Sequence, residues 1–204
     1  MNDKSLTTEE IAESLLGSLL VSYKDGQLTS GWIVETEAYL GKVDEACHTF
    51  AGKQTPRLMS MYQDAGTIYV YRMHTHHLFN VVTRSSSEPQ AVLIRAIEPH
   101  DGEDIQNIRR GKKGIEMTNG PGKLAKALGI TMDDNGTGVY EPAVMIDPKR
   151  KKKPVMVEKT ARIGIPNKGK WTDELLRFSV KGNPYVSRKK GKTEIDYGWE
   201  AVLN

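Results

Sequence analysis

Cys47 is the only cysteine, so the chain can form neither an internal disulfide nor a multi-cysteine metal site, and a reducing, intracellular setting is expected. No run of about 18 apolar residues occurs, so the sequence offers no membrane span. Residues 1–10 lack the basic start and apolar stretch of a signal peptide, and a cytoplasmic protein is expected. Internal repeats, coiled-coil heptads and long low-complexity tracts are missing as well. What remains is an ordinary globular chain of 204 residues, 38% hydrophobic, enough for one domain with a real core.

The net charge of +3 hides a strong asymmetry. Residues 149–192 hold 15 of the 29 Lys/Arg but 3 of the 26 Asp/Glu, giving +12 there and −9 elsewhere. Such a block suits an anionic partner, nucleic acid first among them. Its densest part, Lys149, Arg150, Lys151, Lys152 and Lys153, reads either as a contact for a DNA backbone or as a solvated basic turn.

Hydrophobic spacing and turn chemistry sketch the elements. Thr7 followed by Glu10 is a capping-box pattern ahead of Ile11, Ala12, Leu15, Leu16 and Leu19, predicting a helix that ends near Gly17. Strands are predicted over 19–23 and 31–39, joined by an Asp25-Gly26 turn. Further strands are predicted at 67–71, 80–84, 91–97, 155–162 and 176–181, and helices at 101–110 and 121–128, the latter with Pro121 at its start and Gly129 past its end. Strands interleaved with few helices and many short turns indicate an α+β fold.

The stretch from Ile33 to Gly41 carries the chemistry. On a strand, Glu35, Glu37 and Tyr39 share one face, with neighbours on that face roughly 6–7 Å apart. A carboxylate among apolar neighbours needs a partner or a purpose. Glu35 or Glu37 could be a general base that activates water, or a salt-bridged strand glutamate, and spacing does not choose between them. Tyr39 and Tyr71 could hold a flat base between them while His48 reaches its edge, as enzymes acting on an extruded nucleobase require. They could equally be core tyrosines and a loop histidine. Arg95, inside an apolar strand, calls for a carboxylate partner or a phosphate.

Two motifs carry less. Asn119-Gly120-Pro121-Gly122-Lys123 offers free N–H groups and the Lys123 charge to a phosphate, but Met117 and Leu124 stand where a P-loop needs Gly and Ser/Thr. His74, His76 and His77 lack carboxylate or cysteine companions at ligand spacing, and no metal is expected.

Taken in order, Ile33–Gly41, Asp44–His48, Gln54–Arg57, Gly66–Tyr71, Leu93–Pro99, Asn119–Leu124 and Arg177–Pro184 resemble the alkyladenine (3-methyladenine) DNA glycosylase family. Each motif alone is weak, but their ordered combination is specific and runs nearly the length of the chain. The resemblance implies a single glycosylase domain over residues 1–204, α+β, with a curved, mainly antiparallel sheet and flanking helices, like the C-terminal domain of formyltransferases.

It also implies a hydrolase that removes alkylated or deaminated purines (3-methyladenine, 7-methylguanine, hypoxanthine, ethenoadenine) from double-stranded DNA by base flipping, in base excision repair. No cofactor is implied; a monomer is expected, on the nucleoid if the source is bacterial. By the same resemblance Glu37 activates water and Arg95 lies beside it. Tyr39 and Tyr71 stack on the base, His48 hydrogen-bonds it, and Asn80 crowds the purine 2-position. The segment Tyr71–Asn80 departs from the pattern by being one residue shorter, and His74 is the nearest match to the side chain that wedges into the emptied stack. Lys123 and residues 149–153 would contact the backbone. No lysine sits in the pocket motifs, so a monofunctional enzyme is expected. The competing expectation is a non-catalytic nucleic-acid-binding module on the same fold.

Overall fold

The computed structural model describes residues 5–201. Residues 1–4 and 202–204, the ends of the expected 1–204 domain and the first part of the N-terminal run, lie outside the described residues. Helix α1 (Thr8–Ser14) opens the chain with both bonds of its capping box in place: Glu10 N–H donates to the Thr7 hydroxyl and Thr7 N–H to the Glu10 carboxylate. Strand β1 (Ser18–Lys24) follows, and Asp25 and Gly26, both at positive φ, turn it into β2 (Gln27–Tyr39). That is the conformation a two-residue primed turn demands. Gly17, at φ +79°, has no room for a side chain, because a Cβ there would lie 2.0 Å from the Lys152 carbonyl oxygen.

The remaining strands are β3 (Ile68–Met73), β4 (His76–Val82), β5 (Ala91–Pro99), β6 (Val144–Lys151), β7 (Val157–Thr160) and β8 (Arg177–Val180). Helices α2 (Glu103–Arg110) and α3 (Pro121–Leu128) lie between β5 and β6. All strand pairings are antiparallel, in the order β3-β4-β5-β2-β1-β6, with β8 beside β2 and β7 beside β8. The result is the expected α+β fold with a curved antiparallel sheet.

Long strand β2 organises everything else. One of its edges pairs with β5 from Gly31 to Tyr39. The other pairs first with β1 and then, from Glu35 to Glu37, with β8. The register against β5 slips on either side of Glu35, a bulge that bends the strand where it changes neighbours. From Thr29 to Ala38 the strand is buried on both faces. Helix α1 lies against one face, fixed by Thr36 Oγ1 donating to the Ala12 carbonyl at 2.8 Å. Beneath it lies the main core, which includes Leu16, Ile33, Phe79, Ile94 and Phe178. A second, smaller cluster of Cys47, Leu58, Met61, Tyr69, Val82 and Ala91 packs with Tyr39, Tyr62 and Tyr71.

Two differences from the sequence reading have physical causes. Strand β4 begins at His76, four residues before the predicted start, so His76 and His77 are strand residues and only His74 and Thr75 form the turn. Strand β6 was not anticipated, because Pro148 and the three basic residues that end the strand mask its pattern.

Candidate active site

The bulge and the β8 pairing aim Glu35, Glu37 and Tyr39 away from α1, as strand alternation predicts. Both glutamates are fully buried. Their surroundings differ. The Glu35 carboxylate accepts from four donors: Arg95 Nε at 3.0 Å, Arg177 Nε at 2.6 Å, and the Ser187 N–H and hydroxyl at 2.7 and 2.8 Å. Three of these donors meet Oε1 and one meets Oε2, so the donors match the roughly four lone-pair positions of a carboxylate in number but crowd one oxygen. Glu37 accepts hydrogen bonds from two donors, the Tyr39 hydroxyl at 2.9 Å on Oε2 and the Ile163 N–H at 2.7 Å on Oε1, and forms an ion pair with Arg95 Nη1 at 3.2 Å on Oε2. One position, on Oε1, remains open.

Arg95 therefore bridges the two carboxylates. Burial works against its charge, but Glu37 and Glu35 more than offset that and raise its pKa. Tyr39 is held well above the usual phenol range by burial and then by the Glu37 charge, so its hydroxyl stays a donor. The back of its ring is covered by the Arg162 guanidinium, 4.7 Å from the centroid. Arg162 is itself clamped by a bidentate pair with Asp44 at 2.6 and 2.9 Å, both side chains fully buried. This clamp ties the segment that donates to Glu37 to the loop that carries His48.

Over this floor opens a cavity of about 390 Å³, within the range of small-ligand pockets, about 300–1,000 Å³. Tyr39, His48, Tyr71, Asn80 and Arg95 all line it. Five residues picked from five separate segments thus converge; Glu37 does not itself line the cavity but touches Tyr39 and Arg95, which do. Tyr71 stacks on Tyr69 (5.5 Å, 27°) and meets the His48 ring edge-on at 4.6 Å. Burial pushes the Tyr71 hydroxyl up to about 12. Asn80 donates its amide protons to the carbonyls of Tyr69 and Leu78 at 3.0 and 3.2 Å, which fixes its orientation. Among the described residues, no group of three His, Cys, Asp or Glu is placed to hold a metal ion, and no helix is long and apolar enough to cross a membrane.

His74 sits at the tip of the β3–β4 hairpin, exposed and at φ +53°. It does not line the cavity, whereas the preceding residue, half-exposed Met73, does. Lys123 lies on α3, whose Pro121 lines the cavity, and bonds Glu116 and Asn119, each at 2.7 Å. The run 149–153 is not brought to the cavity. It closes β6, at the end of the strand order opposite β3.

The cations near the cavity are others. A second cavity of about 660 Å³ shares Ile163 and Arg188 with the first and is lined also by Arg177, Lys181, Lys189, Lys190 and Lys192, against Glu158 and Glu194. A third, of about 640 Å³, shares His48 and is lined by Lys53, Arg57 and Lys168. Sequence reasoning missed Tyr69, Met73, Arg162 and the Ile163 N–H. Tyr69 was visible as the same-face neighbour of Tyr71. A backbone donor from a loop 126 residues away leaves no sequence signal.

A family model described as methylpurine-DNA glycosylase matches residues 3–184. Among curated proteins the chain is similar to three that carry the name "Putative 3-methyladenine DNA glycosylase". It is 48% identical over 202 residues to that of Enterococcus faecalis, covering 97% of this chain and 88% of the relative. For Staphylococcus saprophyticus the identity is 48% over 194 residues, covering 94% and 96%. For Staphylococcus carnosus it is 52% over 187 residues, covering 90% of each.

Proposed function

The chain belongs to the methylpurine-DNA glycosylase family of N-glycosyl hydrolases, and on that premise we propose that it is a monofunctional glycosylase for alkylated and deaminated purines in double-stranded DNA. The observation that carries this reading is Glu37: a buried carboxylate beside an aromatic cavity, paired with Arg95, held by the Tyr39 hydroxyl and the Ile163 N–H, and with a position open on Oε1. A nucleic-acid-binding module has no use for such a group.

A damaged purine pairs and stacks poorly, and extruding it costs only a few kcal/mol. In the cavity its faces meet Tyr39 and Tyr71 and its edge meets His48. An alkylated purine is cationic and gains about 0.5–2 kcal/mol against a tyrosine face. The glycosidic bond then breaks with its electron pair going to the base nitrogen, so the alkylated base leaves neutral. The water held on Glu37 Oε1 forms the new bond to the sugar carbon and gives its proton to the carboxylate. Glu37 also faces the positive charge that develops on the sugar. Arg95 keeps the carboxylate aimed. Among the described residues no lysine lines the base cavity, so no amine is at hand there to capture the sugar, and the product is an abasic site with the backbone intact.

His74 at the hairpin tip, with Met73 behind it, fills the gap left by the base. Phosphates on either side of the flipped nucleotide run along the two basic clefts, past Lys189, Lys190 and Lys192 on one flank and Lys53, Arg57 and Lys168 on the other, with Lys123 near the rim. The 149–153 run takes no part. The protein works as a monomer in the cytoplasm, where the chromosome is. Incubation with methylated DNA and chromatography of the released bases tests the reading: free methylpurines are expected from the native protein and none from Glu37→Gln. Release of no base, or equal release by the variant, would overturn it. A borohydride-trapped enzyme–DNA adduct would overturn the monofunctional assignment.

A further inference from the structure

Two arginines line the base cavity, Arg95 and Arg188, and among the described residues they are its only Lys or Arg. Arg95 is committed to Glu35 and Glu37. Arg188 is exposed and makes no hydrogen bond or ion pair with any described residue. It also lines the large basic cleft, beside Lys181, Lys190 and Lys192. Ile163 is the other residue common to cavity and cleft, and its N–H is already given to Glu37. An uncommitted guanidinium therefore stands on the wall that the two share.

The backbone that carries it is anchored. Ser187 donates its N–H and hydroxyl to Glu35 at 2.7 and 2.8 Å, and its carbonyl accepts from Arg177 at 2.9 Å. Glu35 in turn shares Arg95 with Glu37. Arg188 is thus one residue from a network that ends on the carboxylate assigned to the water. Arg188 itself adopts φ +50°, a conformation natural to glycine and disfavoured once a Cβ is present. Strain of this kind concentrates at ligand clamps. A cationic alkylated base would repel the guanidinium. A phosphate matches it, because the planar fork donates two parallel bonds to phosphate oxygens.

We propose that Arg188 is a substrate-positioning residue: it grips a phosphate adjoining the extruded nucleotide and so sets the sugar against Glu37. This rests on the reading of the cavity as a damaged-purine site. With the base inside, the sugar lies at the mouth and its phosphates lie toward the cleft. Because Ser187 hangs on Glu35, the grip is built in fixed relation to the reacting carboxylate, which is what a near-attack geometry requires.

The test uses Arg188→Gly, which removes the guanidinium and suits the left-handed turn. Its melting temperature should match the native value or exceed it; a marked drop would make the residue structural and overturn the proposal. Single-turnover release from hypoxanthine DNA, at subsaturating enzyme, is expected to fall about tenfold. The decisive readout is phosphate ablation, with one uncharged methylphosphonate placed 5′ or 3′ of the lesion. Native protein should lose about tenfold at one of these positions. Arg188→Gly should lose nothing further there, and Arg188→Lys, with a point charge in place of the fork, an intermediate amount. Lys190→Ala, a change confined to the cleft, should still show the full loss. An equal further loss in Arg188→Gly and native protein would overturn the proposal. Native protein that releases no base would instead sink the functional reading. Binding to DNA with a tetrahydrofuran abasic analogue, with and without the same methylphosphonate, would still judge Arg188.

Discussion

At the β6 edge, four of the five basic residues in the run 149–153 already have partners. Arg150 pairs with Asp147, Lys151 donates to the Ser14 carbonyl, Lys152 reaches Glu98 between Trp32 and Trp199, and Lys153 reaches Glu200. On the pocket side, Lys190 and Lys192 line a cleft with Lys189, whose Nζ donates to the Gly191 carbonyl, and Glu37 Oε1 accepts a single hydrogen bond. The two regions show that charge density along a sequence does not measure charge available to a ligand. What matters is whether the fold supplies a partner. Within the pocket the same contrast recurs in miniature, between Glu35, which four donors and two arginines hold, and Glu37, which two donors and one arginine hold.

The largest effect should fall on that inner contrast. Glu37→Gln keeps the size and the acceptor for Ile163 but removes the base, so excision should drop by about 10²–10⁴-fold. Lesion binding, measured by gel shift or anisotropy, should survive. If Glu35→Gln lost catalysis more steeply than Glu37→Gln while staying folded, the assignment of the two glutamates would be reversed.

Glu35 should dominate stability instead. Removing it leaves the Arg95 and Arg177 guanidiniums short of their shared partner in an interior where breaking a buried pair costs about 3–5 kcal/mol. Urea unfolding of Glu35→Ala should show a loss of that order, well beyond that of Glu37→Gln. Equal losses would mean that the two carboxylates do the same structural work.

These glutamates also mark how far the sequence could be read. Alternation placed Glu35, Glu37 and Tyr39 on one face, and it did so because a strand's period of two is rigid. The capping box at Thr7, the Asp25-Gly26 turn and helix α3 were legible for the same reason: short-range geometry forces them. The residues that separate the glutamates, Ser187, Arg177 and the Ile163 N–H, come from loops and strands more than a hundred positions away. No local pattern encodes that approach. Strand β6 was hidden by its own proline and charges, and with it the fact that the 149–153 run is held on the sheet. His74 was located only by likeness, and the structure sets Met73 rather than His74 against the cavity wall.

The outer contrast should appear in salt dependence. Each phosphate contact contributes about 0.9 to the slope of log affinity against log salt. Replacing Lys189, Lys190 and Lys192 by Ala should therefore lower the slope by up to about 3 and weaken binding to all DNA alike. Replacing Lys149, Arg150 and Lys153 in the same way should leave the slope nearly unchanged. A larger loss from the second triple would return the DNA face to the β6 edge.

The smallest effect is on pH. Partial burial, then Arg57 and Lys53, lower the His48 pKa from its ordinary value of 6.5. Between that value and the lower folded one, the unfolded chain binds more protons than the folded chain. Stability should therefore rise with pH across this window and be lost as pH falls through it. Because His48 keeps an open edge to solvent, the change is modest and is best read as a difference in melting temperature between native protein and His48→Gln over pH 5–7. The comparison of regions sharpens it further. Lys53→Ala removes a cation that faces the imidazole and should raise the His48 pKa by NMR titration. Lys153→Ala, at the β6 edge with its charge beside Glu200, should not move it. Equal shifts from both would mean that His48 senses only the overall charge of the molecule, and the pocket would lose its claim to a local field of its own.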